Sequence, residues 1–473
     1  MGLLVQHTLS VTVVCVISLL SLLRSSNSQQ LSDKHSADET TERLAEREGA
    51  SRGSSTCASE TCESFGLTAF VGSTASLDLK CPSESNLGED AALSLTILKS
   101  LGKNESLRPA PPVASCPTNI ETPPWLLDDA LTPIDKFFVR NNGDIPRRAM
   151  DQDSEGWTLT IDGIGVDGSR NFTLQQLKSF PTVTRKYPLQ CAGHGRAGYR
   201  PQVGGNQWTL GAVGFAEWTG VLLKDILSYD PPEGFKGLKV LDNAVYLAWE
   251  GLDRHCEDTD AFAISRGVPI EKALDGYTML AWEMNAETLP AAHGFPLRLI
   301  APGYPGSAQG KWLKRLWVRD QVHDGPKMTG TSYRMPLQPL PPGHEGLTEE
   351  ETSVIEEMPV YSIITSPPPC TQVKSGDSLT VRGKAWSGMG NVVMVEVSVD
   401  QGRTWTAAFL SPPVNKYAWQ VWTVDIELPG KGYWEIYARA TDEKGRVQPL
   451  MTPGWNPKGY LNNSVMKINV DVV

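Results

Sequence analysis

Residues 189–196 read Leu-Gln-Cys-Ala-Gly-His-Gly-Arg, and this stretch carries the most distinctive chemistry of the sequence. Small residues flank Cys191, which lets the backbone approach a bulky group closely. The neighbouring side chains of His194 and Arg196 favour the thiolate, the form of cysteine that ligates metals and attacks electrophiles. The segment indicates a metal-ligating or nucleophilic cysteine, and a buried structural cysteine in a tight turn is the alternative.

Short strands and short helices are predicted on both sides of this segment. Apolar and polar residues alternate over residues 157–162, which is typical of a half-buried strand. Residues 173–176 match a capping box and predict a short helix that ends before Pro181. A second short helix is predicted over residues 219–227. We therefore expect an α+β fold in this part of the chain.

A domain boundary is predicted where a Pro-rich stretch, residues 336–343, meets an acidic stretch at residues 349–357. Beyond it, valine occupies every second position over residues 393–399, and a further alternating run follows with its own turn signals. Short strands without helical periodicity predict an all-β sandwich over residues 346–473. The α+β domain is expected to occupy residues 121–345.

The N-terminus carries a predicted targeting segment. A 15-residue apolar run at residues 9–23 is short for a bilayer-spanning helix and predicts a secretory signal over residues 1–28. A signal anchor and a mitochondrial presequence are the alternatives. We therefore expect a secreted or periplasmic protein, or alternatively one of the mitochondrial intermembrane space.

Residues 29–120 are predicted to be a disordered or linker region, because large apolar residues are scarce in its first half. The cysteines of this region are Cys57, Cys62, Cys81 and Cys116. This even set predicts one or two disulfides within the cluster, as is common in an oxidising compartment. Cys256 and Cys370 stand isolated later in the sequence.

Composition excludes some classes of partner. The 473 residues carry a formal net charge of −11 and no long basic run. We therefore expect neither nucleic acid nor an anionic membrane as the main partner. A small anionic substrate stays possible, since a few arginines that converge in one pocket outweigh a mildly acidic exterior locally.

The segment around Cys191 resembles the Cys-Ala-Gly-Asn-x-Arg loop of the sulfite oxidase family. Other stretches match the family in the same order, and the resemblance spans about residues 122–473. The matching stretches are residues 131–141, 211–222, 283–285, 293–298, 311–313, 358–365, 383–388 and 402–405. The resemblance implies a molybdopterin domain of mixed sheets and short helices, followed by an immunoglobulin-like domain that forms a homodimer.

The resemblance also implies one molybdenum–molybdopterin cofactor per chain, with the thiolate of Cys191 as the protein ligand to the metal. A soft thiolate suits a metal that changes oxidation state. His293, Arg298 and Lys311 are expected to hold the phosphate and the pterin, because a phosphate needs charge-assisted donors. The further cofactor contacts that the resemblance implies are Phe138, Val139, Arg140, Asn141, Asn142, Asp253, Gln309 and Gly310.

For the substrate, the resemblance places Arg140, Arg196 and Tyr333 in a pocket for a small sulfur oxyanion. Trp208 is expected to form a wall of this pocket, and Lys458 to add a charge where the family has Arg. The implied reaction is oxidation of sulfite, or a related reduced sulfur anion, to sulfate, with electrons passed to oxygen or to a carrier such as cytochrome c. No haem is expected, because the His-Pro-Gly-Gly string of the family's cytochrome b5 module does not occur in this sequence.

Besides Lys458, two further features depart from the family's usual pattern. His194 stands where the family has Asn, and residues 264–274 look closer to the sulfane dehydrogenase branch, whose substrate is bound sulfane sulfur. Three alternatives to sulfite oxidation therefore stay open. They are a sulfane dehydrogenase-like subunit, a reductase of a sulfoxide or nitrate, and a secreted binding protein that keeps the fold without the cofactor.

Overall fold

In a computed structural model, the chain is described over residues 116–227 and 237–473. The predicted signal segment and nearly all of the predicted linker lie outside these residues. Within them, sheets dominate and the α-helices are short, which agrees with the predicted α+β class. No helix in these ranges is long and apolar enough to cross a membrane.

The first part of the described chain alternates short strands with single helical turns. Its strands are β1 (Asn119–Ile120), β2 (Val139–Arg140), β3 (Thr158–Asp162), β4 (Arg170–Thr173), β5 (Thr182–Gln190), β6 (Val213–Leu222), β7 (Tyr246–Gly251), β8 (Ser265–Pro269), β9 (Met279–Met284), β10 (Glu287–Thr288), β11 (Arg298–Ile300), β12 (Leu313–Arg319), β13 (Arg334–Pro336) and β14 (Thr352–Val354). Its α-helices are α1 (Arg147–Met150), α2 (Leu174–Lys178), α3 (Leu223–Ile226) and α4 (Ile270–Ala273). Short 3-10 helices occur at Pro124–Leu126, Ile134–Lys136, Arg196–Gly198, Ala291–His293 and Gly306–Ala308.

Two five-stranded sheets form the body of this part. The antiparallel sheet has the order β10-β9-β6-β5, with β11 also paired to β9. The mixed sheet has the order β4-β3-β12-β7-β8, with β3 and β12 parallel. Leu159 and Ile161 of the mixed sheet belong to the same hydrophobic cluster as Val221 and Leu280 of the antiparallel sheet. The two sheets therefore share one apolar core.

The local sequence patterns succeed and fail for identifiable reasons. The predicted capping box is confirmed, because the Thr173 hydroxyl accepts from the Gln176 amide at 3.2 Å and the Gln176 side chain accepts from the Thr173 amide at 2.9 Å.

The helix predicted over residues 219–227 is wrong in its first half. Those residues end strand β6, which lies between β5 and β9, and only Leu223–Ile226 is helical. Pairing on both edges of β6 overrides the local preference.

The last part of the described chain consists of strands without α-helices. They are β15 (Tyr361–Ser366), β16 (Thr371–Val373), β17 (Ser378–Trp386), β18 (Val392–Ser398), β19 (Thr406–Ala407), β20 (Phe409–Leu410), β21 (Gln420–Glu427), β22 (Gly432–Asp442) and β23 (Met466–Val472). They form one sheet of order β15-β17-β21-β20 and another of order β16-β23-β22-β18-β19. Val381 and Trp422 of the first sheet share a hydrophobic cluster with Ile436 and Ile468 of the second. This is the arrangement of a β-sandwich.

The disulfide prediction needs correction. Cys116 pairs with Cys256, 140 residues further along the chain, and not with a cysteine of its own cluster. Cys57, Cys62 and Cys81 lie outside the described residues. The predicted linker is also too long at its C-terminal end, because Asn119–Ile120 forms β1 and pairs with β2. Neither result is visible locally, since both depend on segments that are distant in sequence.

The β-sandwich contacts the other sheets behind the segment 189–196. Trp386 donates from Nε1 to the Gln190 side chain at 2.8 Å, and the Leu461 amide donates to the Ala192 carbonyl at 2.9 Å. Asn462 donates from its side chain to the Gly195 carbonyl at 2.8 Å. The loop that contains Cys191 is therefore held from behind by residues of the C-terminal part of the chain.

Candidate active site around Cys191

Cys191 lies directly after strand β5, at the start of the loop that the sequence singled out. Its backbone amide donates to the Ala212 carbonyl at 3.0 Å, which continues the pairing of β5 with β6. The side chain is a free thiol and only 6% exposed. The Gly193 amide donates to the sulfur at 3.4 Å.

Glycine is required at two positions of this loop. A Cβ at Gly193 would lie 2.6 Å from the Arg196 guanidinium, so the loop closes tightly over that side chain. Gly195 has φ +79° and its missing Cβ would lie 2.8 Å from the Asn462 carbonyl oxygen. The small residues therefore serve close packing of the loop as well as access to the thiol.

The Cys191 thiol opens into a cleft with an empty volume of about 670 Å³. The residues of the cleft wall that the sequence predicted are Phe138, Arg140, Asn141, Asn142, Cys191, Asp253, His293, Arg298, Gln309, Lys311 and Tyr333. The structure thus brings together residues from segments that are up to about 195 positions apart, as the resemblance implied for a cofactor site.

One end of the cleft is strongly basic. His293 and Arg298 are 3% and 2% exposed, and Arg298 donates from Nη1 to the His293 carbonyl at 2.8 Å. Lys311 donates to the Ala292 carbonyl at 2.8 Å and also bonds the Asn141 side chain. Burial lowers the pKa of Arg298 to about 9 and, together with the neighbouring cations, lowers the pKa values of His293 and Lys311.

This basic end fits an anionic cofactor. The Arg298 Nε is buried and has no hydrogen-bond partner, so it is available to an acceptor in the cleft. Asp253 is the carboxylate of the cleft wall, and burial raises its pKa to about 6, with Lys311 opposing the rise. Burying several positive groups together is costly unless a ligand compensates their charge. A phosphate group with a polar ring system would supply that charge and the missing acceptors, as the molybdopterin cofactor does.

The other end of the cleft contains the Tyr333 hydroxyl and the Arg140 guanidinium. The Asn142 Oδ1 accepts from Arg140 Nη2 at 3.0 Å, from the Tyr333 hydroxyl at 3.2 Å and from Lys327 Nζ at 2.8 Å. A second anchor for Arg140 is Asn119, whose side-chain oxygen accepts from Nη1 at 3.2 Å. We call Arg140, Asn142 and Tyr333 the anion end of the cleft, because their donors converge there.

Several predicted residues do not line the cleft. The Arg196 guanidinium donates to the Lys458 carbonyl and to the Asn206 carbonyl, both at 2.9 Å, and lies 5.2 Å from the Tyr460 ring centroid. The Lys458 side chain is exposed, and Trp208 is buried in the cluster that contains Cys191. A direct contact between these three side chains and a substrate stays a prediction.

Val139 and Gly310 also lie behind the cleft wall rather than in it. Val139 is 1% exposed and pairs with Ile120 across β1 and β2. A Cβ at Gly310 would lie 2.4 Å from the ring of Trp249, a residue of the wall. Both positions therefore support wall residues, and a backbone contact with the cofactor stays a prediction.

The sequence reasoning missed the apolar part of the wall. Its members are Leu189, Trp249, Ile264, Gly306, Ser307 and Trp312. Trp249 and Trp312 are 3% and 1% exposed, so their rings face the interior and the cleft rather than solvent. The sequence contains 14 tryptophans, and composition alone does not indicate which of them form such a wall.

His194, the main departure from the family pattern, points away from the cleft wall. Its ring lies 5.2 Å from the ring of Tyr361 and 6.1 Å from that of Trp386, both in edge-to-face geometry. It is fully buried, neither ring nitrogen has a hydrogen-bond partner, and burial lowers its pKa to about 3. The neutral imidazole therefore packs the loop against the β-sandwich.

Comparison with known families gives two matches that together cover most of the described chain. The oxidoreductase molybdopterin binding domain matches residues 142–327, and the Mo-co oxidoreductase dimerisation domain matches residues 352–473. The chain is 33% identical over 370 residues to mitochondrial sulfite oxidase of Homo sapiens, covering 75% of this chain and 64% of that protein. It is 34% identical over 361 residues to sulfite oxidase of Gallus gallus, covering 74% and 75% respectively.

Among solved structures, the chain is similar to the sulfane dehydrogenase SoxCD from Paracoccus pantotrophus. The TM-score is 0.61 at 27% identity, and the match covers 76% of this chain and 88% of that one. The predicted fold class, mixed sheets with short helices of the sulfite oxidase type, is confirmed by this match. The chain spans 64% of the length of the mouse and human relatives that it matches. By these matches and by the cleft around Cys191, the chain belongs to the sulfite oxidase family of molybdopterin-binding oxidoreductases.

Proposed function

We propose that this protein oxidises sulfite, or a related reduced sulfur anion, with a molybdenum–molybdopterin cofactor whose metal is bound by the Cys191 thiolate. The observation that carries the proposal is the position of this free thiol. It opens into a cleft with buried cations at one end and the donors of Arg140 and Tyr333 at the other. Such a cleft suits an anionic cofactor and a small anionic substrate together.

The basic end would bind the cofactor. Arg298 presents an unpartnered Nε, and Lys311 is held by the Ala292 carbonyl and Asn141, so its ammonium group is pre-positioned. His293 contributes a buried, neutral imidazole beside them, because burial and the two cations keep its pKa well below the usual value. When bound, the cofactor supplies two-electron redox chemistry and oxygen-atom transfer.

The anion end would bind and orient the substrate. Arg140 offers a planar, permanently charged fork that matches an oxyanion, and two side-chain oxygens hold it in place. Burial raises the pKa of the Tyr333 phenol, but the charges of Arg140 and Lys327 outweigh burial and leave the pKa below its ordinary value. A more acidic phenol is a stronger hydrogen-bond donor toward a substrate oxygen.

Trp249 and Trp312 would exclude water from the space between the two ends. Both are almost fully buried and line the cleft. In an apolar, dry setting the attraction between Arg140 and an oxyanion is stronger than in water. The chain therefore supplies charge, orientation and exclusion of water, which are the tasks that a small anionic substrate requires.

Metal analysis and one substitution test this proposal. Protein expressed in a host that makes molybdopterin should contain about one molybdenum per chain, because one thiol serves one cofactor. Cys191→Ser should remain folded by circular dichroism and lose turnover at least a hundredfold, since a hydroxyl is a poor ligand for this metal. If the wild-type protein contained no molybdenum, that result would instead support the alternative of a binding protein that keeps the fold without the cofactor.

Oxidation of sulfane sulfur is the second candidate. The similarity to the sulfane dehydrogenase SoxCD favours it, as does the sequence of residues 264–274. Steady-state assays separate the candidates: oxidation of sulfite and thiosulfate is followed with cytochrome c or oxygen as acceptor, and reduction of nitrate with a reduced dye as electron donor. Turnover with sulfite supports the leading proposal, turnover only with a sulfane donor supports the second, and reduction of nitrate would overturn both.

We further propose that the protein is a homodimer assembled through its C-terminal domain, and that it is secreted or periplasmic. The match to the Mo-co oxidoreductase dimerisation domain supports the first statement. The apolar run near the N-terminus, which lies outside the described residues, motivates the second. Oxygen and an external carrier such as cytochrome c remain the two proposed electron acceptors.

A further inference from the structure

Lys327 reaches the anion end of the cleft, although nothing in the sequence singled it out. Its Nζ donates to the Asn142 Oδ1 at 2.8 Å, and the same oxygen accepts from Arg140 and from the Tyr333 hydroxyl. The Asn142 Oδ1 atom therefore accepts hydrogen bonds from two cations and from the phenol. Asn142 and Tyr333 line the cleft, so the Lys327 charge lies directly behind its wall.

The backbone of Lys327 adopts an unusual conformation to make this contact. Its φ is +65°, in the left-handed region where a side chain normally costs about 1 kcal/mol or more. The residue is not glycine or asparagine, the types that accept this region readily. Such a conformation persists only when surrounding contacts hold it in place. Arg266 makes such a contact with the backbone of Lys327.

Arg266, on β8, holds the backbone of Lys327. The Arg266 side chain is fully buried and donates from Nη1 to the Lys327 carbonyl at 2.6 Å. Its guanidinium carbon also lies 4.9 Å from the centroid of the Tyr333 ring. The Nε and Nη2 atoms of Arg266 are buried without a hydrogen-bond partner. The charge of this guanidinium is therefore directed at Tyr333 and Lys327, and among the residues that the structure describes no carboxylate pairs with it.

Lys458 and Lys327 differ in the burial and the contacts of their side chains. The sequence assigned the additional positive charge of the substrate pocket to Lys458, but that side chain is exposed, and its carbonyl is the group that contacts Arg196. Lys327 is partly buried and bonded to a residue of the cleft wall. A partly buried charge is screened less than an exposed one, so Lys327 affects a bound anion more strongly.

We propose that Lys327, anchored by Arg266, is a positioning and charge-supplying residue of the anion end, and that it tunes this cleft for doubly charged anions. The inference rests on the proposed function and deepens it by naming the charge class of the substrate. Lys327 acts through Asn142 and Tyr333, which it holds in place. It also adds a second positive charge beside Arg140, which suits sulfite, sulfate and thiosulfate more than singly charged anions.

Sulfate binding to the molybdenum-loaded protein, followed by calorimetric titration, gives a readout that does not depend on turnover. Lys327→Met keeps the length of the side chain and removes its charge, and should weaken sulfate binding about tenfold. Lys327→Arg keeps the charge and should restore affinity to within about threefold. Lys374→Met, in an exposed turn of the β-sandwich, is the matched control and should bind sulfate like the wild type.

Lys327→Gly separates charge from backbone strain. Glycine accepts a positive φ without steric cost, so this variant relieves the strain while it removes the cation. Sulfate affinity should fall as far as in Lys327→Met, even though the melting temperature is unchanged or higher. With sulfite as substrate, both variants should show a KM raised about tenfold and a kcat that changes less, and singly charged nitrate should bind nearly as in the wild type.

The outcomes distinguish this inference from the proposed function. Equal sulfate affinity in wild type, Lys327→Met and Lys327→Gly overturns the role of Lys327 and leaves sulfite oxidation standing. Sulfate binding that depends on Lys327, in a protein that turns over neither sulfite nor a sulfane donor, supports the anion site and overturns the proposed reaction. A wild type that does not bind sulfate overturns the inference as well.

Discussion

Arg298 shows how burial of a single residue defines the character of this site. Its side chain is 2% exposed, its Nε has no partner, and burial lowers its pKa to about 9. A cation is rarely buried in this way unless a ligand uses it. The same reasoning applies to the neighbouring His293 and Lys311, and it explains why these residues are clustered at one end of the cleft.

Arg298→Met is therefore expected to release the cofactor without unfolding the protein. Removal of the charge-assisted donor should lower the molybdenum content severalfold, measured by mass spectrometry of purified protein. The free energy of unfolding of the cofactor-free chain should stay equal or rise, because an uncompensated charge is replaced by an apolar side chain of similar volume. Arg403→Met, an exposed residue, serves as the control. Unchanged molybdenum content in Arg298→Met would contradict the assignment.

His323 is expected to make the folded protein less stable in acid. Its ring bonds Ser265 Oγ at 2.8 Å and Arg319 Nη1 at 2.9 Å. Burial, followed by the charge of Arg319, lowers its pKa to about 4, and Asp324 opposes the shift only in part. The unfolded chain has the ordinary, higher histidine pKa and binds more protons between these two values. Stability should therefore fall as the pH drops from about 6.5 to about 4.

His323→Gln removes this proton linkage. After a discount for solvent screening, we expect the wild type to lose about 2 kcal/mol more than the variant between pH 7 and pH 4.5. Urea unfolding at the two pH values measures the difference. The exposed His344, changed to Gln, is the control and should lose as much stability as the wild type. A variant with the same pH dependence as the wild type would show that the pKa of His323 is not lowered in the folded protein.

At the scale of elements, the short strand β1 links a disulfide to the anion end of the cleft. The Cys116–Cys256 bond ties the segment before β1 to the loop after β7. Strand β1 pairs with β2, and its Asn119 accepts from Arg140 Nη1 at 3.2 Å and from the Asn141 amide at 3.0 Å. The disulfide thus stabilises the element that holds Arg140, the arginine proposed to bind the substrate.

The double variant Cys116→Ser with Cys256→Ser should lose about 3 kcal/mol of unfolding free energy, because the bond closes a long loop of chain. It should also raise the KM for sulfite, since β1 no longer holds Arg140 firmly. Urea unfolding and steady-state kinetics test the two effects. Asn119→Ala separates them, because it should raise KM with a smaller loss of stability. A double variant with wild-type stability would contradict the argument.

At the scale of the whole molecule, the outer surface of the β-sandwich has features of an interface. Val393, Phe409 and Val414 are 58%, 67% and 69% exposed. Exposed apolar patches mark association surfaces, and these three side chains are candidates for one. The predicted alternation at residue 393 is interrupted because the register of β18 with β22 shifts between Val392 and Met394, which leaves Val393 outside the core.

We expect the purified protein to sediment as a dimer, and Phe409→Asp to weaken the dimer at least tenfold. A carboxylate at an apolar interface must lose its hydration without gaining a partner. Analytical ultracentrifugation over a range of concentrations measures the effect. Asp377→Asn, in the exposed turn between β16 and β17, changes a charge away from Phe409 and should leave the dimer intact. A wild type that is monomeric at all concentrations would contradict the proposal.

Local sequence patterns predicted much of the fold, and the family resemblance implied the basic end of the site. The capping box at Thr173 is a contact between residues three positions apart, so the sequence contains all of its determinants. The order of family motifs similarly located Cys191, His293, Arg298 and Lys311, which line one cleft. The predicted helix at residues 219–227 failed because pairing of β6 with two neighbours decides the conformation there.

The sequence by itself determined a β-rich framework, because that signal depends on residue type and short spacing, and the order of its family motifs implied that Cys191 and a set of basic residues belong to one site. Only the tertiary structure decided that Cys116 pairs with Cys256, that Arg196 donates to backbone carbonyls, and that Lys327 reaches Asn142 across 185 positions of sequence. Those contacts depend on which distant segments the packing of the sheets brings within hydrogen-bond distance. No local pattern contains that information.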